Sequence, residues 1–241
     1  MKRTLKKTVL LMICQTVFLT INLTAQTSQP TTEKPSFTQC LEKAQKGDVE
    51  AQYHTGLCYL EGKDITPNFS QAVYWFAKAA EQGHPEALCD LGNCFYEGIG
   101  ISQNQPQAVL LYQKAAEQGL SRAQNNLGIC YFLGKGVKKN YQMATEWYRK
   151  AAEQGYPDAQ NNLGTCYVRG KGVPKDHSKA LYWYRKAAEQ NDAEGLYNMG
   201  VCYDNGEGIA QNHAEAGKWF QKAASQGHEK AKTKLKMKRF Q

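Results

Sequence analysis

The stretch that decides the fold runs from Ala123 to Gly155 and reads AQNNLGICYFLGKGVKKNYQMATEWYRKAAEQG. Its pattern of small, apolar and aromatic residues returns every 36 residues, without insertion or deletion, from Asp48 to Gly227. A fixed period of this length is typical of a solenoid, in which each repeat buries its apolar side against its neighbours. We therefore predict five repeats, at residues 48–83, 84–119, 120–155, 156–191 and 192–227.

Each repeat is predicted to contain two helices, which we call A and B. In the third repeat, residues 123–131 place small and apolar side chains at helical spacing, and the Gly-Lys-Gly at 134–136 ends this A helix. A second apolar stripe over residues 144–152 predicts the B helix, which Gly155 ends.

A glycine inside the A helix returns in every repeat, although it costs about 1 kcal/mol relative to alanine. Close approach of the B helix, which a Cβ would block, explains it, and Ala144 is expected to face Gly128. The equivalent glycines are Gly56, Gly92, Gly128, Gly164 and Gly200.

This residue set resembles the Sel1-like repeat family, relatives of the tetratricopeptide repeat, over nearly all of residues 36–241. The resemblance implies an all-α fold, a right-handed α/α superhelix or solenoid of five 36-residue helix-turn-helix repeats with half-repeat caps. Residues 36–47 match the second half of a repeat and form the N-terminal half-repeat cap. Residues 228–241 form a basic C-terminal cap helix.

The N-terminus predicts export from the cytoplasm. Residues 1–25 combine a basic start with an uncharged apolar stretch and a small residue, Ala25, before the expected cleavage site. An uncleaved N-terminal anchor is the alternative. Residues 26–35 are polar and contain two prolines, so they predict a linker. We expect a periplasmic or extracellular protein of the cell envelope, with no integral membrane span after cleavage.

The charge of the chain lies at its two ends. The formal net charge is +8, but residues 26–227 carry 20 basic and 21 acidic residues. A nucleic-acid-binding protein would carry positive charge on its folded surface, so this class is excluded. The six basic residues of 228–241 are either a solvated face or a contact for an anionic surface.

The cysteines recur once per repeat at one position of the A helix. Equivalent positions in stacked repeats lie about 10 Å apart, beyond the Cα separation of about 7 Å that a disulfide allows. We therefore interpret this set as small buried hydrophobic side chains. They are Cys58, Cys94, Cys130, Cys166 and Cys202.

Two further cysteines carry separate hypotheses. Cys40 lies on the half-repeat helix, on a face expected to touch the next A helix, and a Cys40–Cys58 disulfide is our hypothesis. Cys89 is expected to be an exposed thiol. No Cys-x-x-Cys and no clustered histidines occur, so no metal site is predicted.

Catalytic motifs are missing from the repeat body. Its histidines occupy unrelated repeat positions, and no phosphate-binding loop, G-x-S-x-G or H-E-x-x-H is present. We predict a protein that is not an enzyme and needs no cofactor. The alternative comes from resemblance to the cysteine-rich Sel1-like (Hcp) subgroup, which implies a penicillin-binding or weakly β-lactamase-like protein. That subgroup pairs cysteines where this chain has Ala152 and Gln160, so the resemblance is partial.

The predicted function is an exported protein–protein interaction scaffold. Resemblance to the tetratricopeptide pattern implies that the A helices line a concave face, which binds a protein or an extended peptide. Asparagines along that face can hold a peptide backbone, or can bond to neighbouring helices and fix the register of the repeats. The candidate partner-binding residues are Tyr53, Tyr96, Arg122, Asn125, Asn126, Phe132, Asn161, Asn162, Arg169, Tyr197 and Asn198.

Overall fold

The computed structural model describes residues 36–62 and 65–237. This part of the chain forms twelve α-helices and contains no strand. The helices are α1 (Phe37–Gln45), α2 (Val49–Glu61), α3 (Phe69–Glu81), α4 (Pro85–Glu97), α5 (Gln105–Glu117), α6 (Ser121–Leu133), α7 (Tyr141–Glu153), α8 (Pro157–Arg169), α9 (His177–Glu189), α10 (Ala193–Asn205), α11 (His213–Ser225) and α12 (Glu229–Leu235).

Helices α2, α4, α6, α8 and α10 are the A helices, and α3, α5, α7, α9 and α11 are the B helices. Each helix packs chiefly against the helices that precede and follow it in the chain. This nearest-neighbour packing of five helix pairs is the arrangement of a solenoid. The all-α prediction is confirmed. The predicted signal peptide and linker, residues 1–35, lie outside the described residues.

The ends of the helices explain why all ten A and B helices have 13 residues. Every A helix stops at a left-handed glycine. Gly134, with φ of 72°, donates its N–H to the carbonyl of Cys130 at 2.8 Å, and a residue with a Cβ is disfavoured there. Every B helix starts after an asparagine or aspartate; the side chain of Asn140 accepts the N–H groups of Gln142 and Met143.

The glycine inside each A helix lies under an aromatic ring of the B helix. A Cβ on Gly128 would lie 2.6 Å from both Cδ1 and Cε1 of Tyr148, and 3.2 Å from the carbonyl oxygen of Ala144. The predicted close approach is present, but the ring, rather than the alanine side chain, makes it. In the other repeats the rings belong to Phe76, Tyr112, Tyr184 and Phe220.

Buried glutamines tie the B helices of adjacent repeats together. Gln124 donates Nε2–H to the carbonyl of Ala116 on the preceding B helix at 3.1 Å. Its Oε1 accepts from Gln154 Nε2, at the end of its own B helix, at 2.7 Å. Both polar ends of this buried amide are therefore satisfied, which avoids the cost of an unpaired group. Gln52 and Gln160 make the equivalent bonds.

Two positions depart from the repeat pattern at a cost in stability. Thr55 is fully buried where Leu127 stands in the third repeat, and its hydroxyl has no hydrogen-bond partner. Asn191 adopts a φ of 61°, the one positive φ of a non-glycine residue among those described. The other repeats have glycine at this position, which is free of the Cβ strain.

Candidate protein-binding face

The candidate site is a row of side chains on the A helices, which we call the A face. It comprises positions two, five, six, nine, twelve and thirteen of each 13-residue A helix. All eleven sequence-predicted residues fall on these positions. Hydrogen bonds between positions five, six and nine of successive A helices show that the five helices lie side by side.

Asp90, on α4, is the centre of the polar network between the first three repeats. It is 4% exposed and accepts hydrogen bonds from Tyr53 Oη at 3.0 Å and from Asn93 Nδ2 at 3.2 Å. Both terminal nitrogens of Arg122 also donate to it, at 2.7 and 3.1 Å. This bidentate pair compensates the buried charge within the fold. Tyr53 and Arg122 therefore link the first and third repeats to the second. Burial, followed by the charge of Asp90, raises the pKa of Tyr53.

The carboxylate of Asp90 also fixes the orientation of two amides. Because Asn93 must donate to Asp90, its Oδ1 is left as an acceptor, and it receives Tyr112 Oη at 2.7 Å and Asn126 Nδ2 at 3.2 Å. The amide nitrogen of Asn126 is thus directed at the preceding A helix. Its Oδ1 is the polar atom that remains for another donor.

Asp192 has the same effect at the other end of the array. It caps α10 by accepting the N–H of Gly195 at 2.7 Å and also accepts Asn161 Nδ2 at 2.6 Å. Asn161 Oδ1 in turn accepts Asn198 Nδ2 at 3.3 Å. Between these two ends, Asn162 donates to Asn125 Oδ1 at 2.9 Å.

The asparagine row therefore holds the A helices in register. This is one of the two roles that the sequence left open. Asn126, Asn162 and Asn198 each donate from Nδ2 to the preceding repeat, so one polar group of each amide is already hydrogen-bonded within the fold. Contact with a partner stays a prediction for these residues, and their Oδ1 atoms are acceptors that could serve it.

A stacked tyrosine–histidine pair covers each end of the A face. Tyr53 stacks on His84 with ring centroids 4.6 Å apart, and Tyr197 stacks on His228 at 4.5 Å. Each histidine is an N-cap whose Nδ1 accepts a backbone N–H at 3.2 Å. Nε2 of His228 lies 3.0 Å from Glu194 Oε2, which fixes the ring over the tyrosine.

The later positions of the A helices supply the accessible part of the face. Tyr96 and Phe132 are half-buried, and the Phe132 ring makes an edge contact with Tyr141 at 5.1 Å. Arg169 is exposed and has no ion pair with a described carboxylate. Leu133, at the position equivalent to Arg169, is 48% exposed. Sequence reasoning missed Leu133, although its shared helix position with Arg169 was a usable signal.

The repeated thiols are buried and are poor nucleophiles. Cys94, Cys130, Cys166 and Cys202 are at most 2% exposed, as the sequence predicted. Burial raises the pKa of Cys94, Cys130 and Cys202 to about 12 and also raises that of Cys166. Since the thiolate is the reactive form, these residues fit packing rather than covalent catalysis.

The remaining cysteines have different outcomes. The expectation of an exposed Cys89 is wrong: the residue is fully buried between repeats, 3.7 Å from Asn126 Nδ2, because position five of an A helix faces the next A helix. Cys40 is buried, whereas Cys58, which was predicted to be buried like the other four repeated cysteines, is only half-buried. Their disulfide stays a prediction, which mass spectrometry of the unreduced, alkylated protein tests.

Residues 36–62 and 65–237 also bear on membrane, metal and anionic-surface sites. No helix there has the length and apolarity needed to cross a membrane. No group of three or more histidine, cysteine, aspartate or glutamate side chains is arranged to hold a metal ion. The short basic helix α12 places Lys234 Nζ 3.1 Å from Asp204 Oδ2 at the end of the A face. Contact of the basic tail with an anionic surface stays a prediction.

Comparison with known proteins gives a consistent family. The family model for the Sel1 repeat matches residues 49–84, 85–120, 121–156, 157–192 and 193–228. Comparison with curated proteins gives no match.

Among solved structures, a protective antigen of uropathogenic Escherichia coli with this repeat fold is 37% identical, with a TM-score of 0.75 over 83% of this chain. The match spans 44% of that antigen. A repeat protein from Oxalobacter formigenes is 35% identical, with a TM-score of 0.76 over 81% of this chain and 78% of its own. Helicobacter pylori cysteine-rich protein B is 30% identical over 55% of this chain and 96% of its own, with a TM-score of 0.45.

Proposed function

This chain belongs to the Sel1 repeat family, and we propose that it is an exported scaffold that binds a protein or an extended peptide on its A face. Proteins of this family are in general interaction scaffolds without enzymatic activity. The observation that carries the proposal is the composition of the A face. It combines half-buried aromatic rings, an exposed leucine, an arginine without an ion pair to a described carboxylate, and asparagine oxygens that can accept a hydrogen bond. Aromatic residues and arginine are enriched at protein interfaces.

Export rests on the sequence of residues 1–25, and we propose the periplasm or the extracellular side of the cell envelope as the place where the partner is met. The basic start and apolar stretch of this segment are those of a signal peptide. In that compartment the partner would be an envelope or secreted protein.

The test is an affinity pull-down with residues 26–241 from an envelope extract of the source organism. Two substitutions make a matched pair. Leu133→Gln changes an A-face leucine that is 48% exposed, and Leu110→Gln changes a B-helix leucine that is 55% exposed. Loss of an apolar interface contact costs about 1 kcal/mol or more. We expect Leu133→Gln to reduce partner recovery and Leu110→Gln to leave it unchanged.

Recovery of the same partners by both variants would contradict the A-face assignment. If no partner is recovered with the unchanged protein, the scaffold proposal fails and the β-lactamase-like alternative gains weight. Hydrolysis of a chromogenic cephalosporin that scales with purified protein would then test that alternative.

A further inference from the structure

The two helix layers of the solenoid carry opposite charge. The five A helices contain eight carboxylates and two arginines, whereas the five B helices contain nine lysines and arginines and six carboxylates. The near-neutral repeat body thus combines a negative layer of A helices with a positive layer of B helices. All eight A-helix carboxylates lie on A-face positions: Glu50, Glu61, Glu86, Asp90, Glu97, Asp158, Glu194 and Asp204.

Cations of the chain itself already occupy two of these carboxylates. Arg122 binds Asp90 through two hydrogen bonds, and Lys234 reaches Asp204 at 3.1 Å. Arg122 is one of the two arginines of the A helices, and it is already paired with Asp90. The A face therefore binds basic side chains within the fold, and its remaining carboxylates offer the same chemistry to a partner.

Three A-face carboxylates have no cation within ion-pair distance in the described residues, namely Glu61, Glu97 and Asp158. Asp158 is solvent-exposed, yet desolvation, followed by Asp192, raises its pKa. Because the carboxylate of Asp192 contributes to this shift, a cation bound beside Asp158 would lower its pKa.

Glu61 and Glu97 stand where the fold itself disfavours them. Each is the last residue of its A helix, next to the negative end of the helix dipole, and neither α2 nor α4 has a basic residue in its last turn. The B helices of the same repeats also end in glutamate, but Lys78 and Lys114 precede Glu81 and Glu117 by one turn. Helix stability does not explain the A-helix glutamates, whereas binding of a positively charged partner does.

The amide orientation adds hydrogen-bond acceptors to this negative surface. Asp90 and Asp192 direct the nitrogens of Asn126 and Asn198 toward preceding helices, through Asn93 and Asn161. The Oδ1 atoms of these two asparagines are left as hydrogen-bond acceptors. Backbone N–H groups, ammonium and guanidinium groups are the donors that such oxygens accept.

We propose that the A face recognises a lysine- and arginine-rich extended segment of its partner protein. The inference rests on the proposed function and adds the charge of the partner to it. Charge complementarity selects this occupant because the negative layer would repel an acidic segment.

Fluorescence anisotropy tests the proposal with residues 26–241 and three labelled peptides of about twelve residues. The peptides alternate alanine with lysine, glutamine or glutamate. We expect saturable binding of the lysine peptide alone, weakening as ionic strength rises from about 50 to 300 mM. Tight binding of the glutamate peptide, or no binding of the lysine peptide, would overturn the proposal.

Matched variants locate the binding. Glu61→Gln with Glu97→Gln removes two A-face charges from helix ends that disfavour them, so this variant should fold at least as well as the unchanged protein. Glu81→Gln with Glu117→Gln removes the same charge from the same repeats and the same final helix position, but from the B helices. We expect the first pair to raise the Kd of the lysine peptide about fivefold and the second to change it by less than about 1.5-fold.

Equal weakening by both pairs would mean that only total charge matters and would overturn the assignment to the A face. The two proposals fail separately. A partner that depends on Leu133 but presents an acidic segment would refute this inference and leave the scaffold function intact. Binding of the lysine peptide to the A face without any recovered partner would count against the scaffold function alone.

Discussion

Replacing Gly128 by alanine gives a test in which two effects have opposite signs. Helix propensity alone predicts that Gly128→Ala stabilises the protein by about 1 kcal/mol. The structure predicts the reverse, because the new Cβ would lie 2.6 Å from two ring carbons of Tyr148. Carbon atoms are most favourably separated by about 3.5–4.0 Å, so the overlap is about 1 Å.

The Tyr148 ring has little room to yield, since it is 3% exposed and packs in the core. Overpacking of this kind costs about 1–3 kcal/mol, which exceeds the gain in propensity. We expect a net loss of about 1 kcal/mol in the free energy of unfolding. For a chain of this length, that lowers the Tm by about 2–4 °C.

Urea and thermal unfolding followed by circular dichroism measure this effect. Tyr148→Leu supplies the control, because the smaller side chain leaves space for the Cβ. In that background Gly128→Ala should be neutral or stabilising, giving a coupling energy of about 1 kcal/mol or more in a double-mutant cycle. A higher Tm for Gly128→Ala in the unchanged background would refute the steric explanation of the repeated glycine.

Three further predictions follow from single features of the fold. Thr55→Val removes a buried hydroxyl that has no hydrogen-bond partner and keeps the side-chain shape. It should raise the free energy of unfolding in urea by about 1 kcal/mol. A lower value would mean that the hydroxyl is hydrogen-bonded in the folded protein. Asn191→Gly relieves a φ of 61° and should raise the free energy of unfolding by about 0.5 kcal/mol, whereas Asn191→Ala should lower it. The thiols of Cys94, Cys130 and Cys202 are buried, and their pKa values are raised to about 12. They should resist a thiol-specific reagent at pH 8 until urea unfolds the chain. Rapid labelling of all three in the folded protein would contradict their burial.

The sequence was sufficient to predict the repeat, its helices and most of its buried positions. Periodicity at 36 residues places equivalent residues in equivalent surroundings, so Cys94 and Cys130 could be recognised as core residues without coordinates. It also assigned Gly128 to a close helix contact. The sequence pointed to the alanine of the B helix, whereas the ring of Tyr148 makes the closest contact. The pattern of one repeat does not show which B-helix side chain crosses the glycine.

The polar contacts of the A face could not be predicted in the same way. Whether Asn126 offers its nitrogen or its oxygen depends on Asn93, whose amide is in turn oriented by Asp90. Asn126 lies 33 positions after Asn93 and 36 positions after Asp90, so no local sequence pattern shows how its amide is oriented. Cys89 was misassigned for a related reason, since its burial comes from the A helix of the following repeat.

Some A-face side chains hold the repeats together and others do not, and this difference decides which substitutions can identify a binding site. Asn162 donates to Asn125, which is 3% exposed, so Asn162→Ala leaves a buried acceptor unpaired and costs about 1–3 kcal/mol before any partner is considered. Lost binding in such a variant would therefore not distinguish a loss of stability from the loss of a partner contact. Glu97 and Leu133 make no bond that orders the repeats, so changes there affect the surface without loosening the array. The informative part of the A face is thus the last position of its A helices, which Glu97 and Leu133 occupy in the second and third repeats.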